Sequence, residues 1–266
     1  FPCWLVSILR NRKLVFDAHE YYSETSGLVG RDFEKGLWSG LESFLIPKVS
    51  HAYTVNESLA DIFRHEFNTG FKVIMNLPVL DDSINQELKS HFYLYQGVLN
   101  KGRGLEDLIE VFSGLELYLK IAGIGPLGHL LKDFIEFKDS EDRIEMLGHV
   151  EPDKLKLLTR KAFAGFNLIE GTGKSYYYSL ANKFFDYMHA GIPQICMNYP
   201  EYKKVNEKYE VAILIDDFSQ IEAAIRKLEN EPGLYQKLVQ NALKARVEYN
   251  WQFEEKKLIR FYSDLF

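Results

Sequence analysis

The sequence is poor in cysteine, in unbalanced positive charge and in long apolar runs, and each shortage removes a class of function. Only Cys3 and Cys196 occur in 266 residues, too few for a disulfide framework. A reducing compartment fits, and both thiols read as small buried hydrophobes. The formal net charge of -6 opposes broad contact with a phosphate backbone, which clustered Lys and Arg must hold, so nucleic acid is not an expected partner. No stretch reaches the roughly 20 apolar residues of a spanning helix. The opening Phe1 to Leu9 run is short and lacks a basic flank, so it reads neither as a span nor as an export signal. Metal chemistry also lacks its ligand patterns: His19-Glu20 and His65-Glu66 have no second histidine, and no Asp-x-Asp pair is present. Asp81-Asp82 reads as a turn and Asp216-Asp217 as a strand end. No metal or other cofactor is expected.

What is present has the composition of a folded α/β protein, with 46% hydrophobic and 26% charged residues. From about residue 90, short apolar or β-branched runs alternate with amphipathic stretches, the pattern of βαβ units on a parallel sheet. Strands are expected near Phe92 to Leu99, Leu117 to Ile124, Arg143 to Leu147, Ala164 to Ile169, Gln194 to Met197 and Val211 to Ile215. Helices are expected over Gly104 to Leu115, Leu127 to Lys138, Pro152 to Ala162, Asn182 to Ala190 and Ser219 to Glu229. In such a doubly wound domain the ligand lies off the carboxyl ends of the strands.

Residues 1–80 read as a smaller α/β region: a helix over Pro2 to Arg10, a strand over Lys13 to Phe16, a long helix over Phe33 to Val49, and strands over Ala52 to Val55 and Lys72 to Met75. This region is too short to close its own sheet, and it opens on an apolar segment without Met, so further elements upstream are expected. Asn76, Pro78, Asp81 and Asp82 suggest a hinge before a second domain at 81–250. The tail after Pro232 reads as helical. Its last helix, 251–266, presents Trp251, Phe253, Leu258, Phe261, Tyr262 and Leu265 on one face, to be docked on the first domain. The many aromatic residues scatter through both regions, which favours core packing over a stacking platform.

Five segments invite chemistry. Gly123, Gly125 and Gly128 spell GIGPLG between a strand and a helix, resembling a dinucleotide fingerprint, but they follow the second strand of their domain and Pro126 interrupts them. A tight turn near a ligand competes with a nicotinamide site there. Gly173-Lys174-Ser175 imitates the end of a P-loop whose first glycine would fall on Leu168, so an NTPase reading fails on spacing, while Lys174 stays open as a ligand contact. The segment QGVLNKGRGL, from Gln96, ends a strand in a loop carrying Gly97, Lys101 and Arg103 before a helix; backbone donors, a helix dipole and a guanidinium there would grip a diphosphate. The segment SLANKFFDYMHAGIP, from Ser179, sets Asn182 and Lys183 at a helix start with Asp186 one turn on, placed either to accept from a ribose or to be solvated. Asp17-Ala18-His19-Glu20 ends a strand, and His19 either faces a cleft or is structural.

Together and in order, these segments resemble the retaining glycosyltransferases of family four, whose GT-B fold sets two Rossmann-like domains across a cleft. The resemblance is carried by DAHE with Ser23-Glu24 behind it, YTVNESLA from Tyr53, QGVLNKGRGLEDLI, KIAGIGP from Lys120, MLGHV from Met146 and NKFFDYMHAGIPQI from Asn182. It implies a fold of two Rossmann-like doubly wound domains, the first incomplete. It also implies a nucleoside-diphosphate-sugar donor bound by Gly97, Lys101, Arg103, Gly125, Val150, Lys174, Ser179, Asn182, Lys183 and Asp186. Arg103 falls on the diphosphate contact, Asp186 on the ribose acid that is usually Glu, the loop from Gly148 to Val150 beside the base, and His19 beside the transferred sugar. Two positions depart from the family: Tyr178 stands where a second Glu is common, and Val98 where an Arg is.

The resemblance implies transfer of a sugar to a hydroxyl with retention, without metal, His19, Arg103 and Lys183 being the catalytic residues. The leaving phosphate itself would take the acceptor proton. A saccharide or lipid-linked acceptor, cell-surface polysaccharide synthesis and a cytoplasmic setting with peripheral contact at the inner membrane face follow from the same resemblance. Two rivals stand beside it: a non-catalytic nucleotide-sugar-binding module and a dinucleotide-dependent oxidoreductase.

Overall fold

The computed structural model describes residues 1–28, 30–81 and 90–265, and their contacts divide the chain into two compact units. The first comprises Phe1–Asn76, Gly171–Leu180 and Glu254–Phe266; the second comprises Leu77–Glu170 and Ala181–Phe253. Asp82, part of the expected hinge and of the Asp81-Asp82 turn, lies outside the described residues, as does Phe266. Among the described residues no helix is long and apolar enough to cross a membrane.

In the first unit a parallel sheet of β1 (Val15–Ala18), β2 (His51–Thr54) and β3 (Lys72–Val73) carries α1 (Pro2–Leu9), α2 (Asp32–Leu45) and α3 (Glu57–Phe67). The expected Lys13–Phe16 strand begins two residues later and runs on to Ala18, which is buried and whose carbonyl accepts from the Thr54 hydroxyl at 2.7 Å. The expected helix over Phe33–Val49 stops at Leu45, and a 3₁₀ turn over Ile46–Lys48 follows, since Pro47 has no N–H to continue the ladder. Helix α3 was not expected. The side chain of Asn56 caps it by accepting from Leu59 N–H at 2.8 Å, and it buries Leu59, Phe63 and Phe67 at helical spacing. Helix α1 buries none of its residues, so Cys3 is exposed and only Cys196 is the buried hydrophobe both thiols were expected to be.

The second unit is a six-stranded parallel sheet in the order β6-β5-β4-β7-β8-β9. Its strands are β4 (Phe92–Gln96), β5 (Tyr118–Ala122), β6 (Ile144–Gly148), β7 (Ala164–Asn167), β8 (Gln194–Met197) and β9 (Ala212–Ile215). Helices α4 (Leu105–Ser113), α5 (Gly128–Phe137) and α6 (Pro152–Lys161) follow the first three strands. The short α7 (Lys174–Tyr177) lies in the first unit, and α8 (Asn182–Ala190), α9 (Pro200–Tyr209), α10 (Ile221–Asn230) and α11 (Pro232–Ala245) complete the second. The short α7 follows Gly173 directly, where no clear helix start was expected. Helix α9 was also unexpected, its start marked by Pro200 at the first position.

The tail is not continuous helix: α11 ends at Ala245, and α12 (Trp251–Ser263) begins in the second unit and runs on in the first. The expected apolar face of α12 is only partly buried. Phe261 packs on Tyr53 at 5.2 Å and Leu265 is buried, while Phe253 and Tyr262 are exposed. The side chain α12 buries most fully is Glu254, whose carboxylate accepts from Met75 N–H at 2.9 Å and meets Lys257 at 2.7 Å. Its charge is answered by a backbone donor and an ammonium, which is what makes its burial tolerable.

The core of the second unit sits on both faces of β4, all five of whose residues are buried, as expected of a central parallel strand covered by helices. The strand order reverses between β4 and β7, and in doubly wound sheets ligands bind at that reversal, outside the carboxyl ends of the strands. Helix α8 is locked to this point by Tyr187. Its fully buried hydroxyl lies 3.2 Å from the carbonyls of both Leu94 and Phe166 and accepts from Gln96 N–H at 3.3 Å. The ring fits because residue 165 is glycine: a Cβ there would come within 2.5 Å of the Tyr187 ring. Gly165→Ala is therefore expected to lower the free energy of unfolding by about 3 kcal/mol. Gly128→Ala, whose nearest contact would be 3.9 Å, is expected to change it by less than about 1 kcal/mol. Urea unfolding of both variants measures the contrast.

Candidate functional site

Three loops at the carboxyl ends of β4, β5 and β6 lie against one another through backbone pairing. Gly97 N–H donates to Ala122 O at 3.0 Å, Gly123 N–H to Gly148 O at 2.8 Å, and Leu99 N–H to Ile124 O at 3.1 Å. This closeness explains GIGPLG. A Cβ on Gly123 would fall 1.8 Å from Gly97 O, and one on Gly125 would fall 2.5 Å from Leu99 O. The glycines serve backbone packing against residues 97–99, and Gly125 meets Leu99 rather than lining the neighbouring cavity. That cavity, of about 220 Å³, is lined by Gly97, Val98, Gly123, His149, Val150 and Leu155.

The loop between β4 and α4 is fixed from the other side. Glu170 N–H, just after β7, donates to Gly102 O at 2.9 Å, and Gly104, at φ 60, closes the loop with Leu168 and Phe218 3.1 Å from where a Cβ would stand. Lys101 is exposed and Arg103 half-buried on this loop. Val98, where the family often has Arg, is 54% exposed.

Helix α8 brings two ionisable groups to the same end of the sheet. Lys183 is 9% exposed. Its ammonium lies 4.1 Å from the centre of the Tyr95 ring and 3.7 Å from where a Gly97 Cβ would be, and Nζ has no hydrogen-bond partner among the described residues. The ring is held in place by the Tyr95 hydroxyl, which donates to Val98 O at 3.1 Å. Burial pushes the Lys183 ammonium down to about 7, and the neighbouring Arg103 guanidinium adds to the shift. Asp186 is pushed the opposite way, up to about 6, by burial, against the opposing pull of the Gln96 hydrogen bond and of the Lys156 and Lys183 charges. Gln96 holds that carboxylate: its amide donates to Asp186 at 2.9 Å, and its oxygen lies 2.8 Å from the Thr159 hydroxyl. Asp186, Gln96, Thr159 and Leu155 line a second cavity of about 320 Å³, and Leu155 is common to both cavities. Asp186 is thus no solvated surface acid.

Of the residues named from sequence, Gly97, Arg103, Val150, Lys183 and Asp186 come together at the carboxyl ends of the second unit's sheet, with Asn182 exposed at the start of α8. Lys174, Ser179 and His19 belong to the first unit. Lys174 is bound to Glu66, which raises its pKa and which also accepts from the Tyr21 hydroxyl at 2.5 Å. Its ammonium is therefore engaged within the first unit. Ser179 is half-buried, its N–H on Tyr176 O at 3.2 Å. His19 is exposed, 3.1 Å from Asp17, and lines a largely apolar cavity of about 520 Å³ with Trp4, Tyr22 and Trp38. The sequence reading gave no role to Gln96 or Thr159. The available signal was a glutamine ending an otherwise apolar strand immediately before Gly97. Among the described residues no three His, Cys, Asp or Glu side chains cluster as a metal site would require.

The buried ammonium makes a stability prediction. Its folded pKa lies below the ordinary 10.5, so the charge costs stability: nothing above the unfolded value, progressively more as pH falls, and the full amount below about 7. Lys183→Met is expected to raise the unfolding free energy by about 2–4 kcal/mol at pH 7, with the gain shrinking as pH rises to 10. Denaturant midpoints measured across that range check both sign and trend.

The glycosyl transferases group 1 model matches residues 79–245, while no curated protein matches the chain in sequence. Among solved structures, sucrose-phosphate synthase from Thermosynechococcus elongatus aligns at TM-score 0.74 and 16% identity, covering 98% of this chain and 71% of that one. The pneumococcal O-GlcNAc transferase GtfA, in complex with UDP and GlcNAc, aligns at 0.74 and 17%, covering 98% and 55%. Anabaena HepE in complex with UDP-glucose aligns at 0.77 and 13%, covering 98% and 74%. At such identities the likeness is one of fold, and that fold is GT-B, built from Rossmann-like α/β domains with parallel sheets. With the family model matching more than half of its residues, the chain belongs to the glycosyl transferases group 1 family.

Proposed function

We propose that the protein transfers a sugar from a nucleoside diphosphate to an acceptor hydroxyl, and that its second unit holds the donor. The observation that carries this reading is Lys183: an ammonium buried beside Arg103, with no hydrogen-bond partner on Nζ among the described residues, is costly unless an anion completes it. The N-terminus of α8 adds a positive dipole end. A diphosphate supplies the missing acceptors, and the 220 Å³ cavity offers a base the backbone of Gly97 and Val150. Asp186, held by Gln96, is proposed to accept from the ribose hydroxyls. UDP, present in the GtfA structure and as UDP-glucose in the HepE structure, is the first nucleotide to test.

As the glycosidic bond breaks, negative charge grows on the leaving phosphate, and fixed cations act most strongly where water is excluded. Arg103 and Lys183 are assigned that stabilisation, with no metal required. Retention is proposed by the route in which the departing phosphate oxygen takes the acceptor proton on the face from which it leaves. To His19 we assign contact with the transferred sugar, on the family resemblance alone. Lys101, Lys174, Ser179, Asn182 and Gly125 remain donor-side assignments of the same kind, Lys174 the weakest because Glu66 already holds it. A saccharide or lipid-linked acceptor in cell-surface polysaccharide synthesis at the cytoplasmic membrane face completes the proposal.

The test is calorimetric titration with UDP and with GDP in EDTA. One nucleotide is expected to bind, and Arg103→Ala to weaken it about 10–100-fold, as loss of a charge-assisted contact of about 1.5–3 kcal/mol would do. Failure of both nucleotides to bind in EDTA when either binds with Mg²⁺ would overturn the metal-independent step. Inversion at the anomeric carbon, read by proton NMR of the transfer product, would overturn retention.

A further inference from the structure

Lys183 does more than mark a place for an anion. Its ammonium sits in a niche where, in the absence of ligand, burial and the Arg103 charge outweigh the groups that favour it. The Tyr95 ring covers it at 4.1 Å and offers only quadrupolar attraction. The Arg103 guanidinium repels it, and the Cys196 thiol, kept neutral by burial, gives it no counter-ion. On its own helix Asp186 attracts it weakly, its carboxylate turned to the Gln96 amide and towards Lys156 on α6. Nothing donates to or accepts from Nζ among the described residues.

We propose that Lys183 takes up a proton as the diphosphate arrives, so that donor binding is coupled to uptake of one proton and weakens as pH rises above neutrality. The inference rests on the donor reading given above and adds to it a linkage that fixed guanidinium contacts cannot provide. The balance is simple: one proton passes from solvent to the Lys183 amine, and the resulting ammonium is matched by one phosphate oxygen's charge. Two properties follow from the niche. Binding is strongest near the ligand-free pKa, about 7, where half of the amine already carries its proton. At higher pH each bound nucleotide must bring a proton with it, and affinity falls up to tenfold per pH unit until the pKa of the complex is reached. The other titrating groups do not imitate this. The nucleotide's terminal phosphate ionises at about 6, below the range concerned. Asp186, near 6, is already ionised there, and ribose hydroxyls donating to it would favour release of a proton rather than uptake.

The experiment is isothermal titration of the full chain with UDP, and with GDP where UDP does not bind, at pH 8.0 in Tris and in HEPES, whose different ionisation heats count the protons exchanged, together with affinities from pH 7.0 to 8.5. Uptake close to one proton and an affinity about tenfold weaker at pH 8.5 than at 7.0 are expected. Lys183→Arg, permanently charged, is expected to abolish the uptake and flatten the profile. Binding of either nucleotide with no proton uptake and no dependence on pH would overturn the linkage and leave the donor site standing. Failure of both UDP and GDP to bind at every pH would overturn both. The wild-type buffer comparison decides the matter even where the Arg variant folds poorly.

Discussion

The placement of α8, and with it of Lys183 and Asp186 in the second unit, depends on one close contact, the Tyr187 ring seated where a side chain at residue 165 would be. A helix lying across a parallel sheet is ordinarily positioned by apolar packing, which tolerates small sliding motions. Here the Tyr187 hydroxyl is tied to the backbone of Leu94, Phe166 and Gln96, so β4, β7 and α8 share one fixed point at the reversal of strand order. Lys183 and Asp186 precede Tyr187 on the same helix, by four residues and by one. Their positions against Tyr95 and Gln96 are consequences of that seating.

The two charged groups are held in opposite states of discomfort. Burial pushes the amine towards losing its proton and the acid towards gaining one, and both shifts represent stability given up at neutral pH. Glu254 shows that this chain can bury a carboxylate comfortably, with Met75 N–H and Lys257 in attendance. The absence of such attendance at Lys183 Nζ is therefore informative about function, since unmet buried charge is concentrated where a ligand is expected to meet it. Tyr95 and Arg103 preserve the niche without answering the charge.

Much of the second unit was legible in the sequence, because a parallel sheet covered on both faces writes continuous apolar runs separated by helical periodicity. The runs at Phe92, Gln194 and Val211 and the helix from Asn182 to Ala190 follow from that rule. The first unit was read less well where local signals competed. The Asn56 cap that opens α3 lies inside the quoted YTVNESLA segment, one residue past the strand expected to end at Val55, and Pro47 shortens the helix expected to reach Val49. Glu254 was hidden in a helix face read only for its apolar residues.

The sequence alone determined the α/β class, the alternation of strands and helices, and the glycine and basic residues that a diphosphate site requires, because these are properties of local pattern and residue chemistry. Only the tertiary structure decided their use. Gly123 and Gly125 serve the backbone of residues 97–99, Lys174 is held by Glu66, and Lys183 is driven into a buried niche with no hydrogen-bond acceptor among the described residues. The reason is that burial and pairing depend on contacts between residues far apart in the chain: the Lys183 niche joins Tyr95, Gly97, Arg103 and Cys196, which no spacing rule brings together.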